Sequence, residues 1–152
     1  MKISTRGRYA LRLMMDIAMN GKEEPVRIKD IARRQEISEK YLEQIVSVLN
    51  KAGFVKSSRG PQGGYRLMRA PQEYTAGSIL HLIEGSLAPV ACMDMEENDC
   101  PRHERCATLL LWQKLHEAMQ DVIDHVSLAD LIKKQRELDA KMSQHCSEKE
   151  NS

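Results

Sequence analysis

The sequence predicts a mainly α-helical fold with one small β-hairpin, a winged helix-turn-helix followed by a long dimerisation helix. Three observations predict it. Two helical stretches separated by a short turn run into a glycine-rich hairpin. A charge split falls where that hairpin ends: residues 1–70 carry fifteen Lys/Arg against seven Asp/Glu, and residues 71–152 carry eight against fifteen. A wide apolar face then recurs at helical spacing between Leu111 and Val126. The basic front half suggests a polyanionic partner, which the near-neutral total of +1 conceals.

The elements follow in order. From Arg6 to about Asn20, the residues Tyr9, Leu13, Met14, Ile17 and Ala18 recur every three or four positions, and Gly21 is a stop signal, so this is an amphipathic first helix. After Pro25, the residues Ile28, Ile31 and Ala32 mark a second, short helix to about Gln35. Glu36 and Ile37 make the turn. Ser38 is a good N-cap for a third helix whose buried stripe is Leu42, Ile45, Val46 and Leu49, ending at Gly53. Phe54–Ser58 and Tyr65–Met68 alternate like two strands, joined by Arg59-Gly60-Pro61-Gln62-Gly63-Gly64.

In this array the third helix enters a major groove of double-stranded DNA. Its residues outside the apolar stripe, Ser38, Glu39, Lys40, Glu43 and Gln44, carry the chemistry for base edges: Gln pairs with adenine, Glu accepts from cytosine, Lys reaches guanine. Arg59, at the base of the wing, suits a minor groove or a phosphate. Lys2, Arg6 and Arg8 would hold backbone phosphate, which positions the protein without reading sequence. Each residue taken singly is equally compatible with a solvated surface or, for Ser38, a simple cap. The ordered array is what points to DNA.

Beyond Ala70-Pro71, Ile79, Leu80, Leu82 and Ile83 mark a short helix from Thr75 to Gly85. The stretch Ala91 to Arg105 is polar and acidic, with Asp94, Glu96, Glu97 and Asp99. A long helix begins near Ala107 with Leu111, Trp112, Leu115, Met119, Val122, Ile123 and Val126 on one wide face. Burying a large aliphatic side chain contributes ~1.5–3 kcal/mol, so this face needs a second copy of the chain, unless it packs wholly on its own winged-helix core. A last helix opens at Ser127-Leu128 and is expected to end near Ala140. The expected units are 1–70 (DNA-binding), 71–140 (cysteine loop and dimerisation helices) and 141–152, a disordered tail.

The start of the chain, Met1 to Arg6, has no apolar core or cleavage site, and no apolar run approaches about 18 residues. A cytoplasmic protein without a membrane partner is expected, in which cysteines serve metal or redox chemistry rather than structural disulfides. Cys92, Cys100 and Cys106 form C-x(7)-C-x(5)-C in a hydrophilic loop. Soft thiolates select zinc, copper(I) or iron–sulphur clusters, and the spacing is compatible with each. Zinc and an iron–sulphur cluster each want a fourth ligand, for which His103 lies inside the loop. A thiol switch would need only two of the three. Cys146 reads as an uninvolved thiol, and His81, His116, His125 and His145 as packing or surface residues.

The chain resembles the winged-helix regulators that include the iron–sulphur regulator IscR, the nitric-oxide sensor NsrR and the cysteine-metabolism repressor CymR. The resemblance runs to about residue 140. It is carried by Met1–Ala10, Ile37-Ser38-Glu39-Lys40-Tyr41-Leu42-Glu43-Gln44, Arg59–Tyr65 and the three cysteines followed by Leu111-Trp112. It implies a homodimer on a palindromic operator, adds Tyr41 and Gln62 to the DNA-contacting set, and implies an iron–sulphur cluster on the cysteine loop, 2Fe-2S ahead of 4Fe-4S. Where IscR-like members place a ligand histidine this chain has Leu109, and where NsrR-like members supply an acidic residue it has Arg8. The fourth ligand is therefore open between His103, Glu104 and a nearby carboxylate. The rival readings are a thiol- or zinc-based regulator without iron, and an adaptor that binds a metabolic enzyme. No Ser/His/Asp order and no phosphate-cradling loop before a helix support catalysis.

Overall fold

The computed structural model describes residues 2–94 and 98–150, with side chains as far as residue 145. The expected Glu96 and Glu97 of the acidic loop, the thiol of Cys146 and the initiating Met1 lie outside the described residues.

Helix α1 spans Thr5–Asn20, capped by the Ser4 hydroxyl, which accepts the Gly7 N–H at 3.1 Å. Its buried face is Ala10, Leu13, Met14 and Ile17. Helix α2 (Ile28–Gln35) stops at Glu36, whose φ of 54° is a left-handed conformation uncommon outside glycine; it reverses the chain into the helix-turn-helix. Ser38 then caps α3 (Glu39–Lys51), accepting the Tyr41 N–H at 3.3 Å. Leu42, Ile45, Val46 and Leu49 are its buried stripe, as their spacing predicts.

The wing is an antiparallel pair, β1 (Val55–Ser58) and β2 (Gly64–Leu67), with Val55 opposite Leu67 and Ser58 opposite Gly64. Two glycines are needed for stated reasons. Gly60 has a φ of 107°, and a Cβ on Gly64 would lie 2.5 Å from the Val26 carbonyl oxygen. That close approach lets Val26 and Tyr65 exchange backbone hydrogen bonds of 2.9 and 2.8 Å, fastening the wing to the strand-like segment before α2.

After a single 3-10 turn at Pro71–Glu73 come α4 (Ala76–Glu84), α5 (Ala107–His125) and α6 (Leu128–Glu150). Tyr74 is wholly buried: its hydroxyl donates to the Phe54 carbonyl at 2.7 Å and accepts the Arg69 N–H at 3.1 Å. Its backbone carbonyl accepts the Leu128 N–H at 2.8 Å, so one residue ties the wing base to the start of α6. The core runs on across Ala70, because Tyr74, Ile79, Leu128 and Ile132 join the cluster formed by Leu13, Ile17, Leu42 and Leu49. The change of charge at residue 70 is thus a property of the surface.

Two expectations are modified. Helix α6 continues to Glu150 rather than ending near Ala140, across most of the segment read as a disordered tail. No Gly or Pro interrupts residues 128–150, and side chains spaced by four support the extension: Gln135 donates to the Asp139 carboxylate at 2.9 Å and Ser143 to the Asp139 carbonyl at 3.1 Å. On α5 the wide apolar face divides. Trp112, Met119, Ile123 and Val126 are half-buried, while Leu111, Leu115 and Val122 remain 56%, 38% and 61% exposed. The half-buried side lies with α4, where His81 Nε2 is 2.9 Å from Gln120 Oε1.

Candidate nucleic-acid interface and cysteine loop

The helix-turn-helix is braced by a buried carboxylate. Asp16, on the core-facing side of α1 and only 2% exposed, accepts from Arg34 at 2.6 Å and from Gln35 at 2.9 Å, both on α2. Asn20 donates to the Asp16 backbone carbonyl at 3.0 Å. The hydrogen bonds to Asp16 hold the Arg34 guanidinium above its ordinary pKa. Arg12 adds a bond from its Nε to the Gln35 side chain at 3.0 Å and another to the Gln35 carbonyl. Sequence reading missed this brace, although a carboxylate between Met14 and Ile17 on an apolar stripe is a signal that it must be paired.

Against this brace, α3 presents Ser38, Glu39, Lys40, Glu43 and Gln44, all exposed. Tyr41 is half-buried because its ring packs edge-on against Tyr9, with centroids 5.6 Å apart. Arg12 lies over the Tyr9 ring at 5.5 Å. Arg59 and Gln62 are exposed on the wing loop, and Lys2, Arg6 and Arg8 at the start of α1. Arg8 donates to the Thr5 hydroxyl at 3.1 Å. A second unforeseen contact sets the position of that basic helix start: Glu84, at the end of α4, accepts from the Ser4 N–H at 3.0 Å and from its hydroxyl at 2.6 Å.

Glu84 also stands next to the loop that leads to the cysteines. Ser86 donates to Asp94, and 3-10 turns at Ala91–Met93 and His103–Arg105 precede α5. Cys92 and Cys106 are half-buried and Cys100 exposed, all three as free thiols. Cys106 occupies the N-cap position of α5, its sulphur 3.2 Å from the Thr108 hydroxyl; that hydrogen bond holds its thiol pKa below the ordinary range. His103 sits over the Cys100 carbonyl, with Nδ1 at 2.9 Å, which leaves Nε2 for a ligand. Leu109 is buried, as its apolar side chain requires.

The expected convergence of Cys92, Cys100, Cys106 and His103 is not found in this conformation. Among the described residues no set of three or more Cys, His, Asp and Glu stands close enough to hold one ion. The donor set fits a soft metal or cluster in kind, with three thiols, one of them acidified, and one free imidazole nitrogen. It does not fit one without closure of the loop.

A turn at Glu36 (φ 54°) between α2, which is braced to α1, and an exposed polar face of α3, together with a glycine-dependent wing, defines the DNA-binding class of winged helix-turn-helix proteins. The sequence model of the Rrf2 family, described as an iron-dependent transcriptional regulator, matches residues 3–134. The chain belongs to the Rrf2 family of transcriptional regulators and is not an enzyme. It is 44% identical over 133 residues to Protein rrf2 of Nitratidesulfovibrio vulgaris, which covers 88% of each chain. Among solved structures it is similar to CymR, the global cysteine regulator of B. subtilis, with 40% identity and a TM-score of 0.73 over 88% of this chain and 98% of that one. It is also similar to T. potens IscR, with 40% identity and a TM-score of 0.74 over 91% and 90% of the two chains. No helix among the described residues is long and apolar enough to cross a membrane.

Proposed function

We propose that this regulator works as a homodimer on a palindromic operator, and that an iron–sulphur cluster taken up by the loop from Cys92 to Cys106 sets its operator affinity. The observation that carries the reading is the exposed row Leu111, Leu115 and Val122, which starts five residues after Cys106 and is left over once α5 has packed on its own α4. A second copy covering that row would make a two-fold axis next to the cysteine loop. Two α3 helices related by it read two half-sites, and half-site spacing is sensitive to small rotations about such an axis.

In this reading Ser38, Lys40, Glu43 and Gln44 meet base edges, Tyr41 is held by Tyr9 at the margin of the groove, and Arg59 and Gln62 follow the wing to the adjoining groove. Lys2, Arg6 and Arg8 hold phosphate. Cys92, Cys100 and Cys106 hold the cluster, with His103 Nε2 as the fourth donor. The cluster supplies a redox- and iron-sensitive crosslink of the loop. Glu84 and Ser4 pass the loop's position to the phosphate-binding start of α1.

A second reading, a thiol-based regulator without iron, draws on the acidified Cys106 alone. Anaerobic purification followed by iron, sulphide and zinc analysis separates the two. Iron and inorganic sulphide bound in proportion, with a visible chromophore lost in the triple variant Cys92→Ala/Cys100→Ala/Cys106→Ala, support the cluster. A metal-free or zinc-only protein refutes it.

A further inference from the structure

We propose that the cleft between the end of α1, the Pro71 turn and α6 binds a small organic anion, its carboxylate on a cationic rim and its short hydrocarbon body on an apolar floor. The cleft has a volume of about 700 Å³, within the range of small-ligand sites. Of its lining, Ile132 is buried and Ala18 and Pro71 are half-buried, an apolar floor, while Lys22, Lys133 and Arg136 are exposed, a cationic rim. This inference rests on neither the cluster nor the operator reading.

Charge sets the ligand class. Lys22 and Arg136 make no hydrogen bond or ion pair among the described residues, and Lys133 acts only at a distance, on Asp130. The one carboxylate of the rim, Glu137, is engaged by Lys134 at 3.4 Å. Three cations around one hollow repel each other and leave a positive potential that favours an anion. An inorganic anion would leave the apolar floor wet. An uncharged hydrocarbon would leave the cations without a partner. An anion with a hydrocarbon body satisfies both, and the Arg136 guanidinium is suited to a two-point grip on a carboxylate. A second, smaller hollow shares Ala18, Lys22 and Pro71 and is lined by Arg66 and Leu67 of β2, so an occupant of the cleft would lie close to the base of the wing.

The test is a titration of the full-length protein with octanoate, followed by amide chemical shifts in a heteronuclear spectrum, with octanol as the uncharged comparator. Octanoate is expected to give saturable shifts at Ala18, Ile132 and Ala140 and to bind about tenfold or more tightly than octanol. The exposed-rim variant Lys133→Ala/Arg136→Ala should lose about tenfold in octanoate affinity with octanol unchanged, while the charge-conserving Lys133→Arg retains binding. The amide spectrum of each variant reports its fold directly. The proposal is overturned by equal binding of octanol, by undiminished binding to the alanine variant, by shifts gathered on the Leu111–Val122 face of α5, or by no saturable shift.

Discussion

Gln44 and Arg59 stand on different elements yet both face solvent, and neither has a hydrogen-bond or ion-pair partner among the described residues. A side chain that pairs with a base edge discriminates by about 1–3 kcal/mol, so Gln44→Ala should weaken operator binding roughly tenfold or more and leave scrambled DNA unaffected. Arg59→Ala should weaken both if it holds phosphate and the operator alone if it reads a narrow groove. Titration of labelled duplexes checks this, and unchanged affinity in both variants refutes the reading face. Asp16 belongs to stability instead. Asp16→Ala leaves Arg34 without its carboxylate partner and Gln35 without an acceptor, and should lower unfolding free energy by about 3 kcal/mol in urea titration. A loss well below 1 kcal/mol would mean that the brace contributes little.

At the scale of the element, local signals marked the helices well. Ser4, Ser38 and Thr75 each cap the helix that follows, and Gly21, Gly53 and Gly85 stand just beyond the ends, so α1, α3 and α4 begin and end within a residue or two of their sequence limits. Pairings between distant residues have no periodicity to reveal them. Asp16 with Arg34, Ser4 with Glu84 and Tyr74 with Phe54 appear only once the chain is folded. A polar sequence is not by itself disordered: α6 runs on to Glu150, with Gln135 and Ser143 both bonded to Asp139.

The start of α6 carries a pH signature. Asp130 caps Ser127, accepting from its N–H at 2.9 Å and its hydroxyl at 2.7 Å, and these bonds hold the carboxyl below the usual aspartate range. A depressed folded pKa contributes stability above the unfolded value of about 3.9 that is lost as pH falls through the folded value. Asp130→Asn should therefore be less stable than the parent at neutral pH, with the gap closing in acid; urea midpoints across pH measure it, and a gap that persists in acid would contradict it. On α5, Leu111→Asp/Val122→Asp should give a folded monomer by sedimentation, because both side chains are exposed within one chain. A parent that is itself monomeric at micromolar concentration would remove the dimer.

Over the whole molecule, the charge split and the ordered array of turn, third helix and wing led to the right class of protein, while the core ignores the boundary that the charges draw. Tyr74, Ile79, Leu128 and Ile132 pack with α1 and α3, so the cysteine loop hangs from a unit continuous with the DNA-binding elements. Glu84, just before that loop, bonds Ser4 at the start of α1. What could not be read from spacing is that, among the described residues, the three cysteines and His103 do not come together at one point.

The most direct test of this account is operator affinity measured anaerobically on the iron-loaded protein and again after chelation of the iron, in parent and in Cys92→Ala/Cys100→Ala/Cys106→Ala. The account predicts that the parent's affinity changes about tenfold or more on losing iron and sulphide, and that the triple variant, dimeric and folded, binds neither iron nor responds to the chelator. A parent that binds its operator equally well with and without iron, or a triple variant that keeps its iron, would contradict it.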